Sequence, residues 1–372
     1  MISDINLVYQ KGRSNMEKKL ALFPMTRDMC AMARYPDLLQ GYELSHLMIP
    51  GYMKMHDMDI STLDGGSCTG DMLSNYGLNI LAECDILFID YDDKMKNLDL
   101  YREVIADAKE LGKEIILSRK LFQKLSVAQL SWPDEPPMTQ NVSEDQLYEI
   151  MVPVITVLSQ GPNTDQLAME LALRRHFTGL GYNVLQIGSG ENGHFFGFKE
   201  IPDFLYEPRD AYEKILKFNE YVNKLAEQQQ PELIIIGVPG ATMKNSNKFL
   251  QGLGLLPLII GSAIKSDLSI LCMYYATCKK EYFKNFSQYG QYRLNGLISL
   301  FGISNVTMTS DDSSGMRKVN YTDLDSNFVL KSIKDEMNFD EYNLFNVLDN
   351  ESVKSACEAA QNILTGHVRY MR

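Results

Sequence analysis

Short apolar runs alternate with longer amphipathic stretches through the first third of the chain. The apolar runs, which predict strands, are 20–24, 42–49, 85–91 and 114–118; helical spacing is found at 28–40, 71–84 and 98–111. Strands that alternate with helices of this length are typical of a parallel sheet with helices on both faces. Residues 17–125 are therefore predicted to form a Rossmann-like or flavodoxin-like α/β domain, which follows an N-terminal arm at 1–16.

The same alternation resumes beyond residues 126–150, where a proline-rich stretch around Trp132 interrupts the pattern and indicates a linker. Later apolar runs predict strands at 151–158, 182–187, 232–238, 267–276 and 304–309, and helical spacing predicts helices at 164–178, 211–230, 255–264 and 279–301. We therefore expect a second parallel α/β domain at 151–310. From 311 to 372 the composition becomes more polar, and the spacing predicts a small, mainly helical C-terminal segment.

The loop Ser159–Asp165 stands where nucleotide-binding α/β domains hold phosphate, between the end of a strand and the start of a helix. A working phosphate-binding loop reads G-x-x-x-x-G-K-[ST]. The lysine of that pattern is missing here, so the second domain is predicted to be a degenerate P-loop-like unit, similar to dethiobiotin synthetase. This loss disfavours phosphoryl transfer but leaves binding open.

Three loops at strand ends supply the candidate ligand-binding residues. Backbone N–H groups near the following helix could hold an anion in the first loop, or the same residues could simply cap that helix. A doubly wound strand order would bring the three loops to one rim, where a lysine could supply the missing positive charge. The candidates are Gly161, Asn163 and Thr164 in the first loop, Ser189 and Gly190 in the second, and Gly240 and Lys248 in and after the third.

Glu191 and His194 are the candidate catalytic residues, because an acid and a histidine in one glycine-rich loop could act as an acid/base pair. The alternative is a tight turn that packs its two phenylalanines. Acidic groups at 64–66 and 90–93 could bind Mg²⁺, or they could form solvated strand ends. One histidine and one glutamate do not make a metal site, so no metal is predicted.

A net charge of −12 and a pI of about 5.0 disfavour a nucleic-acid partner, for which a basic surface is expected. The six cysteines lack C-x-x-C spacing and are expected to be reduced thiols. The first residues have no apolar signal-peptide core, and no run of 18 apolar residues occurs. These features predict a cytoplasmic protein without a membrane partner.

Several spaced blocks of sequence carry a specific resemblance. These blocks are PVITVLSQGPNTDQ, GYNVLQIGS, FNEYVNKLAEQQQPELIIIGVPG and SAIKSDLSILCMYYA in the second domain, and YELSHLMIPGY, DGG and ECDILFIDY in the first. Over residues 18–310 the chain resembles the peptide maturation system proteins, which are encoded beside small bacteriocin-like precursor peptides and modification enzymes. The family pattern has Thr-Asp-Lys where this chain has Thr164-Asp165-Gln166, so nucleotide turnover is less expected here.

The resemblance implies an accessory protein in the maturation of a ribosomally synthesised peptide natural product. Such a protein would bind the precursor peptide, a peptide-modifying enzyme, or both. One alternative is an enzyme that binds a nucleotide or another small anionic ligand as cofactor or substrate in the cleft between the domains, at Gly161, Ser189 and Gly240. A ligand-free homodimeric scaffold is the third possibility.

Overall fold

A computed structural model describes residues 17–92, 94–125, 146–190, 192–245, 249–311, 318–339 and 341–370. The described chain forms two compact units, each with its own parallel sheet. The first unit includes a short piece from later in the chain, Phe195–Gly197, and the second includes Gly65–Ser67 from the earlier part. The predicted arm at 1–16 and most of the predicted linker, 126–145, lie outside the described residues.

The first unit is a five-stranded parallel sheet of order β3-β2-β1-β4-β5. Its strands are β1 (Lys18–Phe23), β2 (Tyr42–Ile49), β3 (Leu73–Asn75), β4 (Ile86–Ile89) and β5 (Glu114–Leu117). Its helices are α1 (Cys30–Arg34), α2 (Ser61–Asp64), α3 (Leu78–Ala82), α4 (Leu98–Glu110) and α5 (Arg119–Lys124). The strand order changes direction between β1 and β4, which is the position where ligands bind in open α/β sheets.

Burial explains the apolar character of the central strands in this unit. All four residues of β4 are buried, as expected of a parallel strand covered on both faces. Helix α4 begins where the Asn97 side chain accepts a hydrogen bond of 3.0 Å from the backbone N–H of Asp99. The ring of Phe195, which is fully buried, packs edge-on against Phe88 and Tyr42, with ring centroids 5.1 and 5.3 Å away.

The second unit is a seven-stranded sheet of order β14-β11-β10-β6-β9-β7-β8, and all its strand pairs are parallel. Its strands are β6 (Val154–Ser159), β7 (Val184–Gly188), β8 (Lys199–Glu200), β9 (Leu233–Ala241), β10 (Leu268–Met273), β11 (Ile298–Ile303) and β14 (Asn343–Asn346). Its helices are α6 (Gln166–Gly179), α8 (Ala211–Gln229), α9 (Leu255–Ala263), α10 (Lys280–Arg293), α11 (Ser326–Glu336) and α12 (Asn350–Tyr370). The single-turn helix α7 (Gly193–Phe196) begins in this unit, and its residues Phe195 and Phe196 belong to the first unit. Strand β9 separates β6 from β7, so the carboxyl ends of these three strands lie side by side.

A separate antiparallel hairpin, β12 (Val306–Asp311) and β13 (Lys318–Asp323), follows β11. The last part of the chain is helical, with α11 and α12, and it also contributes β14 to the edge of the large sheet. Two parallel-sheet α/β domains with a helical C-terminal segment, as expected from the sequence, are thus confirmed.

Three predicted helices were wrong in extent. The segment 28–40 contains only the short helix α1, which ends before Pro36. The segment 279–301 contains α10, a break at Asn295 and Gly296, and then strand β11. The segment 71–84 contains the short edge strand β3 before the single-turn helix α3. Both missed strands precede or follow a helix without a long loop, so their apolar residues were counted as part of the helical pattern.

Among the helices of the described residues, none combines the length and the apolar character that crossing a bilayer requires.

Candidate functional site

Three loops lie at the carboxyl ends of β6, β7 and β9, along one edge of the seven-stranded sheet. In that order, we call them the first loop (159–165), the second loop (189–194) and the third loop (239–245). The first and third are tied together, because the N–H and the hydroxyl of Thr242 each donate to the Ser159 carbonyl at 2.7 Å. Ligands of parallel α/β sheets bind at such carboxyl ends, so this edge is the candidate site.

The first loop is closed by its own hydrogen bonds. The backbone N–H of Gly161 donates to the Ser159 hydroxyl at 2.9 Å, and the Thr164 hydroxyl donates to the Gly161 carbonyl at 3.0 Å. Both Gly161 and Thr164 are buried. Neither residue therefore presents these groups to a ligand in this conformation.

Side chains from distant parts of the second unit cover Gly161. A side chain at this position would overlap the hydroxyl of Tyr274 and come within 2.8 Å of the Gln251 amide. The Tyr274 hydroxyl donates to the Pro162 carbonyl at 2.7 Å, and the Tyr274 N–H donates to the side chain of Gln160 at 3.0 Å. The glycine leaves room for these protein groups, where a phosphate-binding loop would leave room for phosphate.

Gln166 occupies the position at which the resembled family has lysine. Its side-chain amide donates to two backbone carbonyls, those of Val157 at 2.8 Å and Val238 at 2.9 Å. These carbonyls belong to the neighbouring strands β6 and β9, whose pairing is irregular at this point. The amide donates to carbonyls of both strands at this irregularity, so Gln166 joins the two strands.

The outer part of the first loop keeps one feature of anion-binding loops. Asn163 and Asp165 have positive φ angles of 62° and 59°, and they stand on either side of Thr164 directly before α6. Left-handed residues in such turns are one ingredient of the backbone concavities that bind anions. Asn163 and Asp165 are both half-buried, so this part of the loop is accessible.

The second loop starts at Ser189, which is half-buried and bonded to a carboxylate that sequence analysis did not single out. Glu170, from α6, is fully buried and accepts hydrogen bonds from the Ser189 N–H at 3.2 Å and from the Ser189 hydroxyl. Burial raises the pKa of Glu170 to about 7, while the hydrogen bonds from Ser189 act in the opposite direction. A carboxyl group that titrates near neutral pH beside a strand end is typical of functional sites.

One signal in the sequence could have identified Glu170. It lies three residues after Leu167 and seven before Phe177, on the side of α6 that faces the core. A glutamate at a core-facing helical position is rare unless it has partners. Its partner Ser189 is 19 residues away, and only the fold brings the two together.

His194 lies at the end of the second loop, with Nδ1 3.6 Å from a carboxylate oxygen of Glu200. Its side chain is only 12% exposed. Gly190 is half-buried and has open space around it. Glu191, the other half of the predicted acid/base pair, lies outside the described residues.

The third loop contains Gly240, which has a φ of +80°, is exposed, and has open space around its α-carbon. Asn245 lies later in this loop and donates through its amide to the sulfur of Met308, on β12, at 3.3 Å. Lys248 lies outside the described residues. The accessible candidates along this edge are therefore Asn163, Ser189, Gly190 and Gly240.

The carboxyl ends of β1 and β4 in the first unit carry acidic residues as well. Desolvation raises the pKa of the Asp90 carboxyl, although the Ser118 hydroxyl and the Tyr91 N–H donate to it. Asp28 is exposed, and the positive charge of Lys120 acts to lower the pKa of Asp90. Within the described residues, no group of three histidine, cysteine or acidic side chains is arranged to hold a metal ion, and position 93 is outside them.

Comparison with known proteins reveals a shared fold without a shared sequence family. No family model matches the chain, and no curated protein matches it. A DUF1611 family protein from Anabaena variabilis aligns over 94% of this chain and 99% of its own, with 10% identity and a TM-score of 0.59. The likeness spans both domains. It establishes a common two-domain architecture, and at this identity it says nothing about activity.

Two further solved structures align less well. A pseudomurein peptide ligase type C from Methanothermus fervidus covers 81% of this chain and 53% of its own, with 10% identity and a TM-score of 0.27. Cobyrinic acid a,c-diamide synthase from Mycobacterium smegmatis, solved with ADP and magnesium, covers 51% and 84%, with 13% identity and a TM-score of 0.29. Scores this low carry no argument about the present chain.

Proposed function

We propose that this chain is an accessory protein in the maturation of a ribosomally synthesised peptide, and that it binds the precursor peptide or its modifying enzyme. The sequence blocks at 153–166, 181–189, 218–240 and 262–276 support this context through their resemblance to peptide maturation system proteins. In this role the second unit has no need of phosphoryl transfer.

The observation that carries the proposal is the position of the Gln166 amide. Nucleotide turnover on this fold uses a lysine that reaches the terminal phosphates. Gln166, where the resemblance implies a lysine, is neutral, and its amide is bonded to the carbonyls of Val157 and Val238. With Gly161 also covered, the loop has become a structural connection between strands, which favours binding over catalysis of phosphate transfer.

A second candidate function has support of its own, namely the binding of a nucleotide or small anion along the same loops. The left-handed backbone at Asn163 and Asp165 lies at the amino end of α6, where the helix dipole favours negative charge. The open surface at Gly240 and the half-buried Ser189 border this region of the edge.

Thermal shift measurements separate the two candidates. The probes are ATP, GTP and inorganic phosphate at millimolar concentration, with and without Mg²⁺, and the precursor peptide encoded beside the gene. A ligand at 100 times its Kd stabilises the folded state by about 2.7 kcal/mol, which raises the melting temperature measurably. The accessory function predicts a shift with the peptide alone; a shift with nucleotide or phosphate alone supports the second candidate.

Two glycine variants test the location of binding. Gly240→Asp adds a negative charge at the exposed third loop, while Gly181→Asp adds one at the opposite end of β7. Both glycines have positive φ, at +80° and +89°, and both have open space, so the backbone strain is comparable. If the ligand binds at the proposed edge, only Gly240→Asp weakens binding. Equal effects of the two variants would contradict the assignment. If none of the probes raises the melting temperature of the wild type, the result favours a scaffold without ligand.

A further inference from the structure

The hairpin of β12 and β13 forms a small sheet of its own. Its strands pair antiparallel over six residues without a shift in register, and Tyr321 lies opposite Met308. Val319 is half-buried, and residues 320–323 are all exposed. Because a two-stranded ribbon is only marginally stable in water, a third strand would stabilise this one.

A backbone bond at the start of β12 decides which groups of β13 point outwards. The Val306 carbonyl accepts a hydrogen bond of 2.7 Å from the N–H of Tyr275, so Val306 directs its backbone groups away from β13. Opposite residues of an antiparallel ladder alternate between hydrogen-bonded and non-hydrogen-bonded pairs. The pair of Val306 and Asp323 is thus non-hydrogen-bonded, and the alternation gives the same state to Tyr321 and Val319. These two residues therefore turn their N–H and C=O groups to the outer side of β13.

We call these four backbone groups the open side of β13, because no hydrogen bond among the described residues reaches them. Proteins usually protect such a side with a proline, a charge, a bulge or a covering element. The centre of β13, Val-Asn-Tyr-Thr at 319–322, has neither proline nor charge, and its residues largely favour strands. In the first unit, by contrast, the three-residue strand β3 is covered, because Leu73 exchanges backbone bonds with Asp57 and Met58 at 2.9 and 2.8 Å. The open side of β13 is thus available to a further extended chain.

Side-chain contacts fix the hairpin to the loops of the candidate site. The ring of Tyr321 lies 5.9 Å from that of Tyr274, whose hydroxyl donates to the Pro162 carbonyl of the first loop at 2.7 Å. The cross-strand neighbour of Tyr321, Met308, accepts a hydrogen bond from Asn245 of the third loop at 3.3 Å. The open side is therefore held in place before a partner arrives, which lowers the entropic cost of binding.

We propose that the open side of β13 binds an extended segment of the precursor peptide as a third, antiparallel strand of the hairpin. The inference rests on the proposed function and specifies how the peptide is held. Val319 and Tyr321 exchange backbone hydrogen bonds with the peptide, as sheet edges do when they recognise extended chains. A second copy of this chain, paired along β13 alone, would bury far less than the roughly 1,200–2,000 Å² of a stable protein interface, so a peptide is the better occupant.

The side chains of β13 indicate which peptide sequence fits. Residues directly opposite each other in a sheet interact, so Tyr321 favours an aromatic or β-branched residue and Val319 favours a second apolar one. Asp323, exposed at the end of β13, favours lysine or arginine. Because the added strand runs antiparallel, the peptide carries the basic residue first and the apolar residues two and four positions later. The net charge of −12 favours the same cationic partner.

Titration of the full chain into fluorescently labelled precursor peptide tests the site. Val319→Pro removes one outward N–H and no bond to β12, and proline is tolerated at such positions of edge strands. We expect the Kd to rise about tenfold or more, because the peptide loses a hydrogen bond and meets the proline ring. Val319→Thr is the matched control, since it keeps the N–H and the β-branched shape, and it should change the Kd less than about twofold.

Equal affinity of the wild type and Val319→Pro would overturn the β13 site and leave the proposed function standing. Absence of binding to the wild type at millimolar peptide would overturn the site together with the peptide-binding form of the proposed function.

Amide hydrogen exchange of the wild type, resolved by NMR, covers the case in which Val319→Pro does not fold. The amides of Val319 and Tyr321 should gain the largest protection when peptide is added, because they receive new acceptors. No gain at these two amides would overturn the proposal. Protection of both without peptide, rising with protein concentration, would assign the open side to a second copy of the chain and would overturn it as well.

Discussion

Arg34 and Asp64 form an ion pair through two hydrogen bonds of 2.7 Å, from Nε to Oδ2 and from Nη2 to Oδ1. Their side chains are only 7% and 1% exposed. Arg27 adds a third contact by donating to the Asp64 carbonyl at 2.9 Å. Asp64, a candidate Mg²⁺ ligand in the sequence, is thus committed to holding the end of α2 against α1.

Loss of one partner from this pair should be costly. We expect Arg34→Met to lower the free energy of unfolding of the first unit by about 3–5 kcal/mol, because the buried carboxylate of Asp64 loses its two hydrogen bonds from the guanidinium. Urea unfolding followed by circular dichroism measures the change. Lys18→Met is the control, since Lys18 and Glu114 pair at 2.7 Å on the surface, and its effect should stay within about 1 kcal/mol. Similar losses in both variants would contradict the assignment.

Gln166→Glu tests the bridge between strands. The substitution keeps the size of the side chain but replaces the donating NH₂ group with an oxygen that faces the carbonyls of Val157 and Val238. We expect a loss of about 1–3 kcal/mol in the free energy of unfolding of the second unit, because two buried acceptors lose their donor. Gln228→Glu, at an exposed position of α8, should change it little. Equal stability of the two variants would show that the bridge contributes nothing.

Gly237→Ala tests the close contact with Glu170. The added methyl group overlaps the carboxylate, so we expect a loss of about 1–3 kcal/mol in the free energy of unfolding. In a Glu170→Ala background the same change should cost much less, which a double-mutant cycle measures. Gly179→Ala, near the end of α6 with open space around it, serves as control and should be neutral or slightly stabilising. Additive effects of the two substitutions would contradict the contact.

Thiol reactivity should distinguish Cys68 from the other five cysteines. Cys68 is exposed, whereas burial raises the pKa of the Cys278 thiol and raises that of Cys357 to about 12. We expect one fast equivalent with a disulfide reagent in the native protein and six after denaturation. Cys68→Ser should remove the fast phase, and Cys278→Ser should leave it intact. A fast phase that survives Cys68→Ser would contradict its assignment to Cys68.

Much of the architecture could be predicted because parallel strands and amphipathic helices leave strong local patterns. Strand β9 is a continuous apolar run, and α8 keeps its helical spacing for five turns. The sequence also indicates the break between α10 and β11, because Asn295 and Gly296 are residues that commonly end helices. The predicted helix 279–301 did not take this signal into account. Strand β3 has only three residues, too few to give a recognisable strand pattern in the sequence.

The state of the candidate site could not be predicted, because it depends on contacts between residues far apart in the chain. In the sequence, Gly161 fits the pattern of a phosphate-binding loop. In the structure it is covered by Tyr274, which lies 113 positions later in the chain. Gln166 could be recognised as a missing lysine, but its bond to Val238 requires the strand order β6-β9. The helical spacing of α6 shows that Glu170 faces the core, but it cannot show that the partner of this carboxyl group is Ser189.

The three-residue piece Phe195–Gly197 in the first unit has a consequence for synthesis on the ribosome. The Phe195 ring contributes to the packing around Phe88 and Tyr42, and its carbonyl accepts a hydrogen bond of 2.8 Å from the N–H of Gln40. The N-terminal unit therefore cannot complete its core when residue 125 emerges. At about 5–20 residues per second, it waits roughly 4–14 s for the later segment, and during that interval the apolar surface around Phe88 lacks its Phe195 cover.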